Sequence, residues 1–438
     1  MIKCGTSIHM EKPFVHVLSS HLRNQKCDHC YAERELLSCS GCRYVKYCDK
    51  SCQKSAWSYH KNECINLRKL PSGKEVPNTA RLLLRLITKL KKGGEQEKGN
   101  YDKNKFRFFK DLQSHYSQIK EDNKRMEHAV SLYGVLKGFM EENNLPNFSE
   151  FTGIYGRVVV NSFNILDGDM NNLGTGIYLG ASTIDHSCEP NAVAVFSGTS
   201  ITIRTIKDIP EFKWSKVRIC YIDSLKSTEE RRSALLEQYY FLCDCPRCNS
   251  LTKHNVLEAS VECQKCFSSI SYHKGESKCP SCSWEVPVDF SKVYFEVVNF
   301  TNEQHERMNT IALDLDACKV CLSKQKDILH KNSLLYVKTM DLAFEASLQL
   351  NKWDDALSLG DQLSDGYRIY YGNTHPVLGL HYMKLGKILL LKNEFEKALE
   401  TLEKAETIIK ITHGTEHEFY RTQLYRLLFE AKSAAYGL

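Results

Sequence analysis

Eight potential metal ligands crowd into 38 residues near the start of the chain: Cys27, Cys30, Cys39, Cys42, Cys48, Cys52, His60 and Cys64. The residues between them number two, eight, two, five, three, seven and three. A segment so short and so poor in apolar residues cannot bury a core large enough to hold it folded. Zinc takes thiolate and imidazole ligands in fours, and the free energy of binding it then becomes folding free energy. Eight ligands make two tetrahedral sites. The first and third pairs (Cys27, Cys30, Cys48, Cys52) would bind one ion and the second and fourth (Cys39, Cys42, His60, Cys64) the other, an interleaving that spacing alone leaves open. With all eight positions filled by protein, no coordination site stays open for a substrate, so these ions are structural and an enzyme site must lie elsewhere.

The remaining cysteines extend the theme. The chain has 19 cysteines in 438 residues, and Met1 to Ser20 shows neither a sustained apolar run nor a small-residue cleavage site. No apolar run reaches the length of a membrane span. We therefore expect an intracellular chain without a membrane segment, where clustered thiols are metal ligands rather than disulfides. Apolar residues at 42% and charged residues at 26% exclude a disordered chain, and the length points to roughly two to four domains. The formal charge of +6 falls to about -1 once four zinc–thiolate clusters are counted. Arg43, Lys46, Lys50, Lys54 and Lys61 offer a basic face on the cysteine-rich segment, yet bulk charge does not imply nucleic acid, and DNA is not an expected partner.

Residues 65 to 150 read as helical, with apolar residues at three and four spacing over Ala80–Leu90 and Met126–Met140, and Lys91–Lys105 reads as an exposed loop. From Phe151 to Asp223 the runs VVVNSFNI, GIYLGAS, AVAVFSG, ITIRTI and VRICYI read as short strands between turns. Within them lie Asp185-His186-Ser187-Cys188-Glu189-Pro190-Asn191 and Cys220-Tyr221-Ile222-Asp223. A polar cluster between strands costs free energy unless it is hydrogen-bonded, so it marks a candidate ligand site. Cys243, Cys245 and Cys248 stand one ligand short of a tetrahedron, which Cys188 can complete, and Cys263, Cys266, Cys279 and Cys282 read independently as a zinc ribbon. Cys318 and Cys321 fall on one helix face and read as buried core thiols; Cys4 and Cys220 receive no metal role. The last 140 residues are helical and repeat: Asn351-Lys-Trp353-Asp-Asp-Ala356-Leu357 returns as Asn393-Glu-Phe395-Glu-Lys-Ala398-Leu399, and Gly372 with His375 returns as Gly414 with His417, each at an offset of 42. That period argues for stacked helix pairs of tetratricopeptide (TPR) type, with both histidines in structural turns.

Tyr47 before Cys48, Gln53 after Cys52 and Trp57 ahead of His60 resemble the MYND zinc finger, whose members dock proline-rich peptides. The string DHSCEPN closely resembles the NHSCxPN signature of SET methyltransferases, and RICYID resembles their strand ending in the catalytic tyrosine. Together these features resemble the SET and MYND domain (SMYD) lysine methyltransferases over nearly the whole chain. The resemblance implies an α+β multidomain fold: a split SET β-fold with an inserted MYND zinc finger and helical insert, a post-SET zinc segment and a C-terminal TPR-like α-helical domain. The expected boundaries are a residual N-terminal SET strand (1–26), the finger (27–64), the insert (65–150), the SET core (151–242), the post-SET cysteines and ribbon (243–290) and the TPR-like domain (291–438).

The implied activity is S-adenosylmethionine-dependent methylation of histone or other protein lysines, by a monomeric chromatin regulator of nucleus and cytoplasm. Peptide partners are implied at the finger and at the TPR-like domain. Phe163, Tyr221 and Tyr239 match the family's lysine channel, with the Tyr221 hydroxyl orienting amine and methyl group. Asn161, Ser182, Asp185, His186, Tyr221 and Phe241 match its cofactor contacts, Phe241 stacking on adenine. Zinc held by Cys188, Cys243, Cys245 and Cys248 would tie the loop of Tyr239, Tyr240 and Phe241 over the DHSC strand. The chemistry suits the residues: a lysine amine with a pKa of about 10.4 must lose its proton in a poorly hydrated channel, and aromatic walls accommodate the passing cation.

Three departures accompany the resemblance. Asp185 replaces the family asparagine, exchanging an amide that donates and accepts for a carboxylate that only accepts. Glu211 to Lys216 stands where a Gly-Glu turn is usual. Only 26 residues precede Cys27, none spelling the family's GxG turn, and Lys12–Ser20 resembles the strand that follows it, so we expect a truncated N-terminus or loss of part of the cofactor pocket. The alternative these departures imply is a catalytically impaired SET/MYND scaffold that binds peptides through its finger and repeats.

Overall fold

Strands before and after the cysteine-rich segment pair with one another, so the first unit is built from sequence-distant pieces. The computed structural model describes residues 1–71, 73–249, 253–272 and 278–437. It divides into two units, Met1–Asp185 with Asn191–Ile219 and Leu236–Phe241, and His186–Pro190 with Cys220–Leu235 and Leu242–Leu438.

In the first unit β1 (Ser7–Glu11) and β2 (Val15–Leu18) come first, followed by the short hairpin β3 (Leu37–Ser38) and β4 (Lys46–Tyr47) and by helix α1 (Lys50–Leu67). Next come α2 (Asn78–Lys91), hairpin β5 (Gly99–Asp102) and β6 (Lys105–Arg107), α3 (Tyr116–Glu121), α4 (Asn123–Phe139) and α5 (Phe148–Asn161). Then β7 (Ser162–Leu166), β8 (Asn172–Ile177), β9 (Asp185–His186), whose second residue belongs to the other unit, β10 (Ala192–Ser197), β11 (Ser200–Thr205) and β12 (Arg218–Ile219) follow. One antiparallel sheet runs β1-β11-β10 and another β2-β8-β7. In β11 the alternation is visible in burial, with Ile201, Ile203 and Thr205 inside. All four residues of β2 are buried, because α2 packs on this strand as β8 pairs with it.

Helix α2 buries two arginines that join the finger to this framework. Arg81 and Arg85 are each 1% exposed and face the equally buried Asp28 and Glu63. Glu63 Oε1 accepts from Arg81 Nη2 at 2.9 Å, Arg85 Nη2 at 2.6 Å and His60 Nδ1 at 2.8 Å. Asp28 accepts from both guanidinium groups, and Arg85 also donates to the carbonyl of His16 in β2 at 2.8 Å. Burial alone would push both carboxyls up; Arg81 and Arg85 outweigh it and hold Asp28 below, and Glu63 well below, the usual range.

Four strand and loop expectations are corrected here; of GIYLGAS only Gly176–Ile177 is strand, and Ala181–Thr183 forms a 3-10 turn. Val158–Val160 lie in α5, not in a strand, and β7 begins only at Ser162. Asn147 caps that helix by accepting from Glu150 N, and Phe151, Tyr155 and Val158 recur on its buried face, so tertiary burial overrides β-branching. Lys91–Lys105 is not one loop: α2 ends at Lys91, and the chain enters the β5–β6 hairpin, turning at Asn104 with φ 60°. Of VRICYI, only Arg218–Ile219 is strand, so Tyr221 stands just beyond it.

The second unit begins its helical part with α6 (Thr228–Tyr239), whose first two turns it contains, and α7 (Pro246–Asn249) and α8 (Lys253–Glu258). Hairpin β13 (Ser260–Glu262) and β14 (Ser269–Ser271) carries the ribbon cysteines. Seven further helices follow: α9 (Phe290–Thr310), α10 (Leu315–Gln325), α11 (Leu334–Gln349), α12 (Trp353–Tyr370), α13 (Pro376–Leu391), α14 (Phe395–Thr412) and α15 (Tyr425–Tyr436). The 42-residue repeat is reproduced in the backbone. Asn351 and Asn393 both take positive φ (54° and 61°) before α12 and α14, and Gly372 and Gly414 do so after them (88° and 86°). His375 and His417 each accept a backbone N–H two residues on, from Val377 and Phe419, both at 3.2 Å. Ala356 and Ala398 are fully buried, and a side chain at Gly386 would collide with Leu402 of α14 at 2.5 Å. Cys318 and Cys321 are fully buried on α10. Among the described residues no helix is long and apolar enough to cross a membrane.

Replacing Glu63 by alanine leaves two guanidinium groups buried without their main acceptor, and we expect a loss of about 3–5 kcal/mol. Denaturant unfolding of the full chain measures it. Since both carboxyls are depressed in the folded state, their stabilisation is complete above the unfolded values of about 4 and declines as pH falls through them. An unchanged midpoint in Glu63→Ala contradicts the role given to this network.

Candidate functional site

Among the described residues four clusters of ligand atoms assemble, each with its members within 4.8 Å of one another: Cys27, Cys30, Cys48, Cys52; Cys39, Cys42, His60, Cys64; Cys188, Cys243, Cys245, Cys248; and Cys263, Cys266, Cys279, Cys282. The interleaved pairing in the finger is therefore the one the fold adopts. A tetrahedral ion with zinc–sulfur bonds of about 2.3 Å holds its sulfurs about 3.8 Å apart. Observed separations are 3.5 Å for Cys30–Cys48, 3.8 Å for Cys39–Cys64, 3.9 Å for Cys188–Cys243 and 3.5 Å for Cys266–Cys279. The donor sets thus fit zinc. In the finger, Asp49 starts α1 by accepting from Cys52 N at 2.7 Å, and the helix then sets His60 and Cys64 four residues apart on one face. Glu63 fixes the His60 ring through Nδ1, leaving Nε2 toward Cys42 Sγ at 3.5 Å.

Around the third cluster the second unit supplies cations. Arg231 is fully buried with Nη2 at 3.8 Å from Cys248 Sγ, and Arg232 donates to the carbonyls of Cys243 (3.1 Å) and Cys248 (3.2 Å). Four thiolates around a divalent ion carry a net charge of about -2, so guanidinium groups are the expected surroundings.

His186 connects this cluster to Tyr221. Its Nδ1 accepts the Tyr221 N–H at 3.0 Å, so the ring proton sits on Nε2, which faces Cys188 Sγ at 3.2 Å. Burial lowers the pKa of His186 to about 4, and the ring is neutral. The His186 and Tyr221 rings lie 5.3 Å apart at 58°. Both ring nitrogens are engaged within the protein, so any contribution of His186 to a ligand comes from its backbone or ring face.

The first unit holds the other expected site residues. Phe163 on β7 stands opposite Gly176 and meets Tyr178 edge-on at 5.7 Å. Asn161 ends α5 and donates through Nδ2 to the carbonyls of Gln113 (2.9 Å) and Arg157 (2.8 Å). Ser182 lies in a turn held from two sides: its hydroxyl donates to Leu179 O at 2.9 Å, and Glu11 accepts from the N–H groups of Gly180 (3.0 Å) and Ala181 (2.9 Å). Asp185 has a side chain 75% exposed, and Arg218 stands 3.8 Å away, so the extra carboxylate has a guanidinium beside it. In the segment that replaces the Gly-Glu turn, Trp214 is buried and donates to Thr183 Oγ1 at 2.7 Å.

Tyr239 is the last residue of α6, with its ring 6.4 Å from that of Phe241. Between them Tyr240 takes φ 60°, a costly conformation for a bulky residue. The helical insert supports it: Tyr240 Oη donates to Asp122 Oδ2 at 3.1 Å, and its ring stacks on His115 at 5.4 Å. Sequence reasoning did not single out Asp122, His115, Arg218 or Arg231; Asp122 and His115 lie more than a hundred residues from Tyr240, and no spacing rule joins Arg218 to Asp185 or Arg231 to Cys248.

Comparison with known proteins agrees with this architecture. The MYND finger family model matches residues 27–64. Histone-lysine N-methyltransferase SMYD3 of Homo sapiens is 31% identical over 423 residues, covering 95% of this chain and 90% of that protein. Histone-lysine N-methyltransferase ASHR1 of Arabidopsis thaliana is 28% identical over 98% of this chain and 92% of its own length. N-lysine methyltransferase SMYD2-A of Xenopus laevis is 27% identical over 93% and 89% respectively. The chain belongs to the SMYD family. A MYND finger set within a split strand framework is therefore the family architecture, seen directly in the pairing of β1 with β11 and β2 with β8 across the finger.

In this SMYD protein the Tyr240 hydroxyl is a single removable support of the Tyr239–Phe241 turn. Tyr240→Phe is expected to lower stability by about 1 kcal/mol in urea unfolding; an unchanged midpoint contradicts the support assigned to Asp122.

Proposed function

We propose that this chain is a protein-lysine methyltransferase using S-adenosylmethionine, acting on histone or other protein lysines. The observation that carries the reading is the link from Cys188 Sγ through the His186 ring to the Tyr221 N–H, which fixes the tyrosine to the DHSC turn. Family membership and the names of the relatives support it. Bound S-adenosylmethionine supplies a methyl group on a positively charged sulfur. Asn161, Ser182, Asp185, His186, Tyr221 and Phe241 are assigned to holding it, Phe241 against the adenine ring. Arg218 beside Asp185 offsets the charge that the asparagine replacement introduces.

Phe163, Tyr221 and Tyr239 are assigned to the lysine channel. Their apolar faces withhold water and favour the uncharged amine, the nucleophilic form, and the Tyr221 hydroxyl orients it. The proposed domains are the SET strand 1–26, finger 27–64, insert 65–150, SET core 151–242, post-SET segment and ribbon 243–290, and TPR-like domain 291–438. Four zinc ions are assigned per chain, two in the finger, one after the SET core and one in the ribbon. Proline-rich peptides at the finger, a peptide at the TPR-like domain, and residence in nucleus and cytoplasm as a monomer complete the reading. The Asp185 replacement favours a second reading, a catalytically impaired scaffold binding peptides through the same two modules.

Calorimetric titration with S-adenosylmethionine separates the two: saturable binding is expected, and no saturable heat establishes the scaffold. Tyr221→Phe is expected to keep cofactor affinity within about twofold and lose at least about 100-fold in turnover of core histones; full turnover contradicts the assigned role. Elemental analysis is expected to find four zinc ions per chain and three in Cys266→Ser, while an unchanged count in the variant removes the ribbon site.

A further inference from the structure

Arg247 is a buried cation whose hydrogen bonds all go to main-chain carbonyls. It sits on α7 between two members of the third thiolate cluster, Cys245 and Cys248, and is 3% exposed. Its Nη1 donates to the carbonyl of Cys188 at 3.3 Å and to that of Tyr370 at 3.0 Å, and its Nη2 to that of Ser224 at 3.0 Å. Three neutral acceptors do not balance a buried charge. Among the charged groups around Arg247, Cys188 of the thiolate cluster, Cys220 and the Glu258 carboxylate favour the cation, and the neighbouring Arg231 opposes it.

The three carbonyls belong to three separate segments of the second unit. Cys188 is in the DHSC turn, Ser224 is three residues beyond Tyr221, and Tyr370 ends α12. A second tie reinforces the last two. Tyr371 Oη donates to Asp223 Oδ1 at 2.7 Å, and its ring stacks on His375 at 4.9 Å. Asp223 Oδ1 also accepts from Leu225 N at 3.0 Å, so the turn after Tyr221 is held from inside and from α12.

We propose that Arg247 is a positioning residue for methyl transfer: its forked guanidinium sets the Tyr221 turn against the DHSC turn and the end of α12, with Tyr371 as a second tie. This rests on the methyltransferase reading of Tyr221. The planar fork matters because one donor group must reach three fixed acceptors at once, which a lysine ammonium on a flexible stem does not reproduce. A displacement of about 1 Å at the reacting hydroxyl suffices to cost about 100-fold in rate.

The test uses the full-length protein carrying Arg247→Lys, which keeps the charge beside the cluster, and separately Tyr371→Phe, which removes one hydroxyl. Zinc content, amide hydrogen exchange and steady-state methylation of core histones are measured on each. For Arg247→Lys we expect unchanged zinc, exchange at least tenfold faster over residues 220–226 with the α13–α14 pair unaffected, and a kcat about 100-fold lower with KM within twofold. Tyr371→Phe is expected to shift the same two readouts in the same direction by about tenfold. Unchanged exchange over 220–226, acceleration spread evenly through the second unit, or an unchanged kcat overturns the proposal. A parent protein that transfers no methyl group overturns the methyltransferase reading instead, and the exchange measurement then decides the clamp alone.

Discussion

A buried charge survives in a protein only beside its opposite, and both units are organised by that constraint. In the first, Arg81 and Arg85 are matched by Asp28 and Glu63, and Glu63 also orients His60. The finger is thereby joined to α2 and β2 by bonds that reach a ligand of its own metal cluster. In the second, Arg231 lies between Glu258 Oε1 at 3.2 Å and Cys248 Sγ at 3.8 Å, and Arg247 bonds the carbonyl of Cys188 next to the same cluster. Metal–thiolate clusters in this fold therefore serve as counter-ions as well as cross-links.

Short irregular segments in both units are fixed by single side chains. Tyr221 lies outside regular strand, one residue after Cys220, and a loop there would ordinarily be loose. His186 fastens its N–H, while Arg247 fastens the carbonyl of Ser224 three residues on. In the other unit Tyr240 holds an unfavourable backbone angle because Asp122 and His115 of the helical insert receive it, and the aromatic pair Tyr239 and Phe241 flank that point. Regular structure supplies the frame, and single polar side chains set the turns.

Much of this was legible in the chain because ligand chemistry and periodicity leave short-range marks. Cysteine spacing marked the ligands of all four clusters but left the finger's interleaving open, and Cys188, 55 residues before Cys243, joins its set through the resemblance rather than through spacing. The offset of 42 located the helix repeat down to its paired asparagines, glycines and histidines. Helices α2 and α4 followed from apolar spacing. Failures arose where packing outweighed local preference: Val158–Val160 went into α5 because that face is buried, and the β5–β6 hairpin was hidden in a lysine-rich stretch that composition marks as loop. Supports such as Asp122 for Tyr240 and Tyr371 for Asp223 join residues 118 and 148 positions apart, and only folding reveals them. That Arg218 stands beside the Asp185 carboxylate is likewise visible only in the fold.

The central claim is that sulfur-rich zinc clusters hold this protein together, and zinc-edge X-ray absorption of the purified chain addresses it directly. The four clusters contain fifteen cysteine sulfurs and one histidine nitrogen, so the expected first shell is almost wholly sulfur at about 2.3 Å. A shell dominated by nitrogen or oxygen, or a metal-free protein that keeps its folded spectrum, contradicts the account.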